Sequence, residues 1–243
     1  MTTVSTLPEP TRAPMSSLRR TALVAGLFYL ATFIFSIPAA FGLYDNVLDN
    51  ADFVLGAGNS TPVLWGAVFE IVTALTGIGT AIALYPVIKR HGVGGAVGFV
   101  ASRTLEASMI FLGVVSLLGV CTLRQDLAGN TDHATLATTA HALVALKDWT
   151  FLLGPGFMAS VNAMCLAPIM YRSKLVPRLI PTLGLIGAPL LFASSVGTVL
   201  GLHDQVSATA TILVLPIFFW ELSLGIWMTL KGFATVAPAD EER

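Results

Sequence analysis

Charge is scarce in this 243-residue chain: Asp, Glu, Lys and Arg make up 11% of it, against roughly a quarter of an ordinary soluble domain. No sign predominates either, since 13 Lys and Arg face 14 Asp and Glu for a formal charge of -1. The chain therefore lacks the basic field that holds a phosphate backbone, and nucleic acid is not an expected partner. Its two cysteines, Cys121 and Cys165, exclude a disulfide-dense scaffold and a four-thiolate metal site. Also missing are HExxH, CxxC, GxSxG and GxxxxGK[ST] arrangements, so the common hydrolase, redox and phosphate-loop chemistries have no signature. Gly92, Gly94 and Gly95 neither follow a strand nor open a dinucleotide-binding unit. Strands of about ten alternating residues, the mark of an outer-membrane barrel, are absent too.

What is present is apolar: 55% of residues, gathered into long runs. A helix rises about 1.5 Å per residue and the hydrocarbon core is about 30 Å thick, so a span needs about 20 suitable residues. Six segments qualify: Thr21 to Leu43, Val63 to Ile88, Phe99 to Cys121, Trp149 to Tyr171, Leu179 to Leu202 and Ala208 to Leu230. The fold class expected is an all-α polytopic membrane helix bundle with six transmembrane helices. Residues 19–233 form its membrane domain, between flexible cytoplasmic tails at 1–18 and 234–243 whose composition supplies no buried pattern. The first run exceeds the 7 to 15 residues of a signal core, so it is expected to stay as a span.

Basic residues fall on alternate connections. Arg12, Arg19 and Arg20 precede the first span, Lys89 and Arg90 follow the second, Arg172, Lys174 and Arg178 follow the fourth, and Lys231 follows the sixth. The other side carries Asp45, Asp49, Asp52, Asp126, Asp132 and Asp204, with Arg124 and Lys147 as its basic residues. The positive-inside rule then places both termini on the cytoplasmic side of the membrane. The connection Thr122 to Asp148 contains a helix-prone stretch, Ala134 to Asp148, readable as a surface helix or as an extension of the fourth span. Gly154-Pro155-Gly156 should kink that span. Ala159, Ala163 and Ala167, with the pairs Gly197 and Gly201 and Gly94 and Gly98, suggest close helix contacts inside one chain; they leave the oligomeric state open.

Ionisable residues inside hydrocarbon are costly and call for partners. Arg103 is placed near the inner interface and Glu106 one turn deeper on the same helix face. Glu221 and Asn162 each lie about nine residues before the inner end of their spans, a depth similar to that of Glu106. These four can meet in the inner half of a bundle, while Glu70 enters from the outer end and lies above them. One arginine cannot neutralise Glu70, Glu106 and Glu221 together, so a carboxylate is left to hold a proton, water or a cation. The alternative reading is a polar clamp that fixes helix register. Lys147 and Asp148 are read as marking the outer boundary of the fourth span. The histidines, His91, His133, His141 and His203, are read as surface residues, and neither a cofactor nor a metal centre is expected.

Five stretches carry a further likeness: RRTALVAGLFYLATFIFSIP at 19–38, LYPVIKRH at 84–91, SRTLEASMIFLG at 102–113, YRSKLVPRLIPTLGLIG at 171–187 and PIFFWELSLGIWMTLKGF at 216–233. In this order they resemble the bacterial membrane-protein family called domain of unknown function 4386. The resemblance implies a compact multi-helix fold in a bacterial cytoplasmic membrane and associates Arg103, Glu106 and Glu221 with that family's polar features. It implies no reaction, substrate or cofactor. Function is thus left among three classes: transport of a small solute or of a cation or proton, an intramembrane acid/base enzyme using Glu106 or Glu221, and an interaction or regulatory protein whose buried charges are structural. The lipid bilayer is the one partner common to all three.

Overall fold

The computed structural model describes residues 15–48, 50, 53–56, 58–126 and 132–234. The expected tails lie mostly outside these residues, as do Arg12, Asp49 and Asp52, and the described chain enters its first helix at Ser17.

The molecule is an all-α bundle with six long apolar helical segments, consistent with six membrane spans. The first is α1 (Ser17–Pro38), prolonged by a π-helical stretch Ala39–Leu43. The short α2 (Asp45–Leu48) and a 3-10 turn (Phe53–Leu55) lead to α3 (Ser60–Ile88) and α4 (Val93–Asp126). The fourth segment is compound: α5 (His133–Phe151), a π-helical stretch Leu152–Met158, and α6 (Ala159–Ser173). The last two are α7 (Leu179–Val199) and α8 (Ala208–Leu230). The helix-prone stretch before Asp148 is therefore an extension of the fourth span, and Gly154-Pro155-Gly156 forms a widened turn within it. A π turn accommodates Pro155, which has no N–H to give to the α-helical ladder.

Helix starts follow their sequence signals. Ser16, Asn59, Asp132 and Ser207 each accept a hydrogen bond from a first-turn backbone N–H, at 2.9 to 3.3 Å. These bonds satisfy donors that a helix cannot bond internally. At the other end of the fourth segment, Lys174 adopts a left-handed conformation (φ 55°) that stops α6.

The spans close a ring. α1 packs on α3 and α8, α3 on α4, α4 on α5 and α6, α6 on α7, and α7 on α8. α6 also leans inward to touch α3 and α8. Both described chain ends lie at one end of this ring, which is rich in Lys and Arg. There the Arg19 guanidinium donates to the carbonyls of Met228 (2.9 Å) and Thr229 (2.6 Å), and Ala234 N–H donates to the carbonyl of Leu175 (2.9 Å). At the opposite end the chain between α1 and α3 folds over the bundle, burying Tyr44, Val47, Phe53 and Val54 against Leu117, Val120 and Cys121 of α4 and Leu136 and Ala140 of α5. Arg124 holds this cover by donating to the carbonyls of Phe53 (2.9 Å), Gly56 (3.0 Å) and Gly58 (2.7 Å).

The small residues divide by use. Ala159, Ala163 and Ala167 are buried in the core, and Gly98 faces Cys165 of α6. Gly94, by contrast, is exposed with no atom near its missing side chain, and Gly201 serves a turn at φ +71°. These two do not make the helix contact read from their spacing. Gly184 makes a close one: a Cβ there would lie 2.8 Å from Cδ2 of Trp220 and 2.9 Å from the Ala167 Cβ. Gly184→Ala should lower stability by about 1–3 kcal/mol through overpacking, whereas Gly94→Ala should be neutral or slightly stabilising because Ala favours a helix. Thermal unfolding of the two variants in one detergent would measure the contrast.

Candidate functional site

Two buried ionic clusters occupy the interior. The first is built on the inward face of α4 by residues one helical turn apart. Arg103 Nη1 donates to Glu106 Oε2 at 2.9 Å, and Nη2 donates to Oε1 of Glu221 on α8. Because α4 and α8 are not adjacent in the ring, this arginine ties opposite walls together. Its guanidinium carbon lies 5.3 Å from the ring centre of Tyr29 on α1 and 5.7 Å from that of Phe99. These distances are within the range of a favourable cation–π contact. Asn162 of α6 completes the group, donating from Nδ2 to Glu106 Oε2 at 2.6 Å. Arg103, Glu106 and Asn162 are 4%, 8% and 1% exposed, so the hydrogen bonds form where water competes little. Among the described residues, Arg103 Nε and Asn162 Oδ1 have no hydrogen-bond partner.

The second cluster lies nearer the opposite end. Lys147 Nζ of α5 donates to Glu70 Oε1 of α3, and the Tyr44 hydroxyl donates to Glu70 Oε2 at 2.9 Å. All three residues are buried, and the lysine nitrogen sits 5.1 Å from the centre of the Tyr44 ring. Burial first, then the Glu70 carboxylate, push the Tyr44 hydroxyl well above its usual range, so it remains a donor. Glycines admit both partners: a Cβ on Gly66 would fall 2.5 Å from the Tyr44 ring, and one on Gly113 would fall 3.0 Å from Cδ of Lys147. Gly113 is seven residues beyond Glu106 on α4, which separates the clusters by about 10 Å along the helix.

Around the first cluster the fourth segment is wide rather than tight. A Cβ at Gly154 would lie 2.8 Å from Met109 Cβ and 3.4 Å from the Glu106 carbonyl oxygen. The π-helical turn thus rests on α4 directly beside the carboxylate-bearing residue. Among the described residues, no three His, Cys, Asp or Glu side chains converge as a metal-binding group.

The model of one family, described as domain of unknown function (DUF4386), matches residues 24–232. The chain belongs to that family. No curated protein and no solved structure matches it.

Both clusters of this DUF4386 protein fall inside the matched region. Of the five site residues read from the sequence, Arg103, Glu106, Asn162 and Glu221 meet in one network, while Glu70 belongs to the other. Lys147 corrects the sequence reading. It is 5% exposed and paired with Glu70, and does not mark the span's outer boundary. The reason is the upward extension of the fourth span, which carries position 147 inside the bundle. A signal for this exists in α5: Leu136, Ala140, Leu143, Val144 and Lys147 recur at helical spacing, so the lysine stands on the apolar stripe. Tyr44 carries no comparable signal, because its approach to Glu70 depends on how the α1–α3 connection folds back.

Proposed function

We propose that this DUF4386 protein is a transport module of a bacterial cytoplasmic membrane, with both ends in the cytoplasm. It moves a small solute coupled to a proton or monovalent cation exchanged at Glu106 and Glu221. One observation carries the reading: with Glu70 matched by Lys147, the whole carboxylate surplus falls on the first cluster, where two carboxylates share a single guanidinium. Two anionic carboxylates held on one arginine in a low-dielectric interior favour uptake of a proton or small cation. The widened turn beside Glu106 supports the same reading, since π-helical turns inside helices recur at functional sites. Alternate basic connections support the orientation.

The test is reconstitution of the protein in liposomes carrying an internal pH dye. Wild-type protein should move protons in response to a solute or cation gradient, and Glu106→Gln and Glu221→Gln should bring that rate close to that of empty liposomes. Wild-type movement no faster than that of empty liposomes across a broad solute screen would dismiss the transport reading.

A second reading, the structural clamp, is favoured by the reach of Arg103 from α4 to the non-adjacent α8. It expects Gln at both carboxylate positions to change stability alone, with no flux in any variant.

A further inference from the structure

Asn162 Oδ1 is the one buried side-chain acceptor without a donor among the described residues, and the other half of its amide locates it. Nδ2 of that amide donates to Glu106 Oε2 at 2.6 Å. C=O and C–N bonds of about 1.2 and 1.3 Å hold Oδ1 about 2.2 Å from this nitrogen, and so within about 5 Å of the carboxylate oxygen. The last torsion of an asparagine is broad, which lets amide and carboxyl group lie edge to edge.

The Glu106 carboxyl group is used unevenly. Oε2 accepts from both Arg103 Nη1 and Asn162 Nδ2, which fills its acceptor positions. Among the described residues no hydrogen bond reaches Oε1. A proton taken up by Glu106 therefore goes to Oε1, and the neutral acid gains an O–H donor beside the amide that lacks one. Acid and amide then close a ring, with Nδ2–H donating to Oε2 and Oε1–H donating to Oδ1. While Glu106 is ionised, Oδ1 is an acceptor beside acceptors, and buried acceptors without a donor are rare because they cost free energy. Glu221 has no such neighbour: its partner among the described residues is Arg103 Nη2. The other titratable groups gathered around Glu106 are Arg103 on its own helix and Tyr29 of α1. On the remaining elements packed against α4, Glu70 of α3 and Lys147 of α5 neutralise each other, and Cys165 of α6 faces Gly98.

Resting on the transport reading, we infer that the exchanged ion is a proton, that Glu106 alone carries it, and that Asn162 is the positioning residue that recognises the protonated acid. The step is a proton transfer from hydronium to Glu106 Oε1, which leaves water behind and turns the carboxylate into a neutral acid; release returns the proton to water. Glu221 stays ionised as the counter-ion of Arg103, so the loaded cluster is neutral.

Infrared spectroscopy of the protein in lipid vesicles at neutral pH tests this inference, because a protonated carboxyl group absorbs apart from ionised carboxylates and its band moves in heavy water. Wild-type protein should show such a band, equally in sodium and choline buffers, and Glu106→Gln should lose it. In Asn162→Leu the band should move to higher frequency, since the acid loses both amide hydrogen bonds. A band unmoved in Asn162→Leu would assign the proton to Glu221 and overturn the inference, and a band abolished by sodium would put a metal cation in the proton's place and do the same. Thermal unfolding gives an independent measure. Glu106→Gln should unfold at the wild-type midpoint, because the glutamine amide reproduces the donor and acceptor of the neutral acid, whereas Glu221→Gln should unfold earlier, because it strips Arg103 of its counter-ion. The reverse order would overturn the inference. Wild-type spectra without any exchangeable acid band would overturn it whether or not a variant folds. Proton movement in liposomes without the band would leave transport standing and dismiss Glu106 as the carrier, while the band without proton movement would retain the proton on Glu106 and dismiss transport.

Discussion

Arg103→Leu should be among the most damaging single changes in this protein, lowering stability by about 3–5 kcal/mol, the usual cost of removing one partner from a buried ion pair. The substitution keeps much of the side-chain volume and deletes the donors that hold Glu106 and Glu221. Two carboxylates then remain in a low-dielectric interior, with the Asn162 amide as the donor still bonded to Glu106. The decisive control is compensation. Arg103→Leu combined with Glu106→Gln and Glu221→Gln removes the orphaned charges and should recover most of the lost stability, because a neutral replacement of a buried ionic group is often well tolerated. Arg103→Lys should fall between the two, since an ammonium cannot reproduce the planar fork that reaches two carboxylates at once. Unfolding midpoints in a single detergent, followed by near-UV circular dichroism, provide the measurement. A wild-type midpoint for Arg103→Leu would contradict the bridge from α4 to α8.

Much of that network is legible in the amino-acid sequence. Runs of apolar residues long enough to cross the bilayer fixed six helices, and counting about 1.5 Å per residue inward from the basic ends put Glu106, Asn162 and Glu221 at a similar depth, with Arg103 one turn nearer the inner interface. Depth is a one-dimensional quantity and was sufficient for these four because they sit near the centre of a closed ring. It set Glu70 apart from them but could not give the lateral order of the helices, and so could not say that the guanidinium bridges Glu106 on its own helix to Glu221 on the non-adjacent α8. It also failed at Lys147. Threonines at 135, 138 and 139 with histidines at 133 and 141 lend α5 the composition of a surface segment. Their side chains are largely exposed, while the opposite stripe of the same helix is buried. Average polarity over the stretch concealed the face that mattered, and with it the cation that neutralises Glu70.

Lys147→Met tests that hidden pairing and should cost about as much as loss of the arginine, again about 3–5 kcal/mol. Methionine retains the length that fills the space beside Gly113 and the Tyr44 ring, so the loss reports the missing charge more than a cavity. Glu70 would keep the Tyr44 hydroxyl as a donor but would have no cation. The double variant Lys147→Met with Glu70→Gln should therefore regain most of the stability, with the tyrosine still donating to the new amide oxygen. Tyr44→Phe should cost less, about 1–3 kcal/mol, since it leaves the ion pair intact and strands one carboxylate oxygen. Separation decides how the two clusters combine. They lie about 10 Å apart along α4 and have no hydrogen-bonded residue in common. The losses from Arg103→Leu and Lys147→Met should then add to within about 0.5 kcal/mol. A large non-additive term would mean instead that the two networks communicate through the helix between them, and that Glu70 belongs to the same functional unit as Glu106.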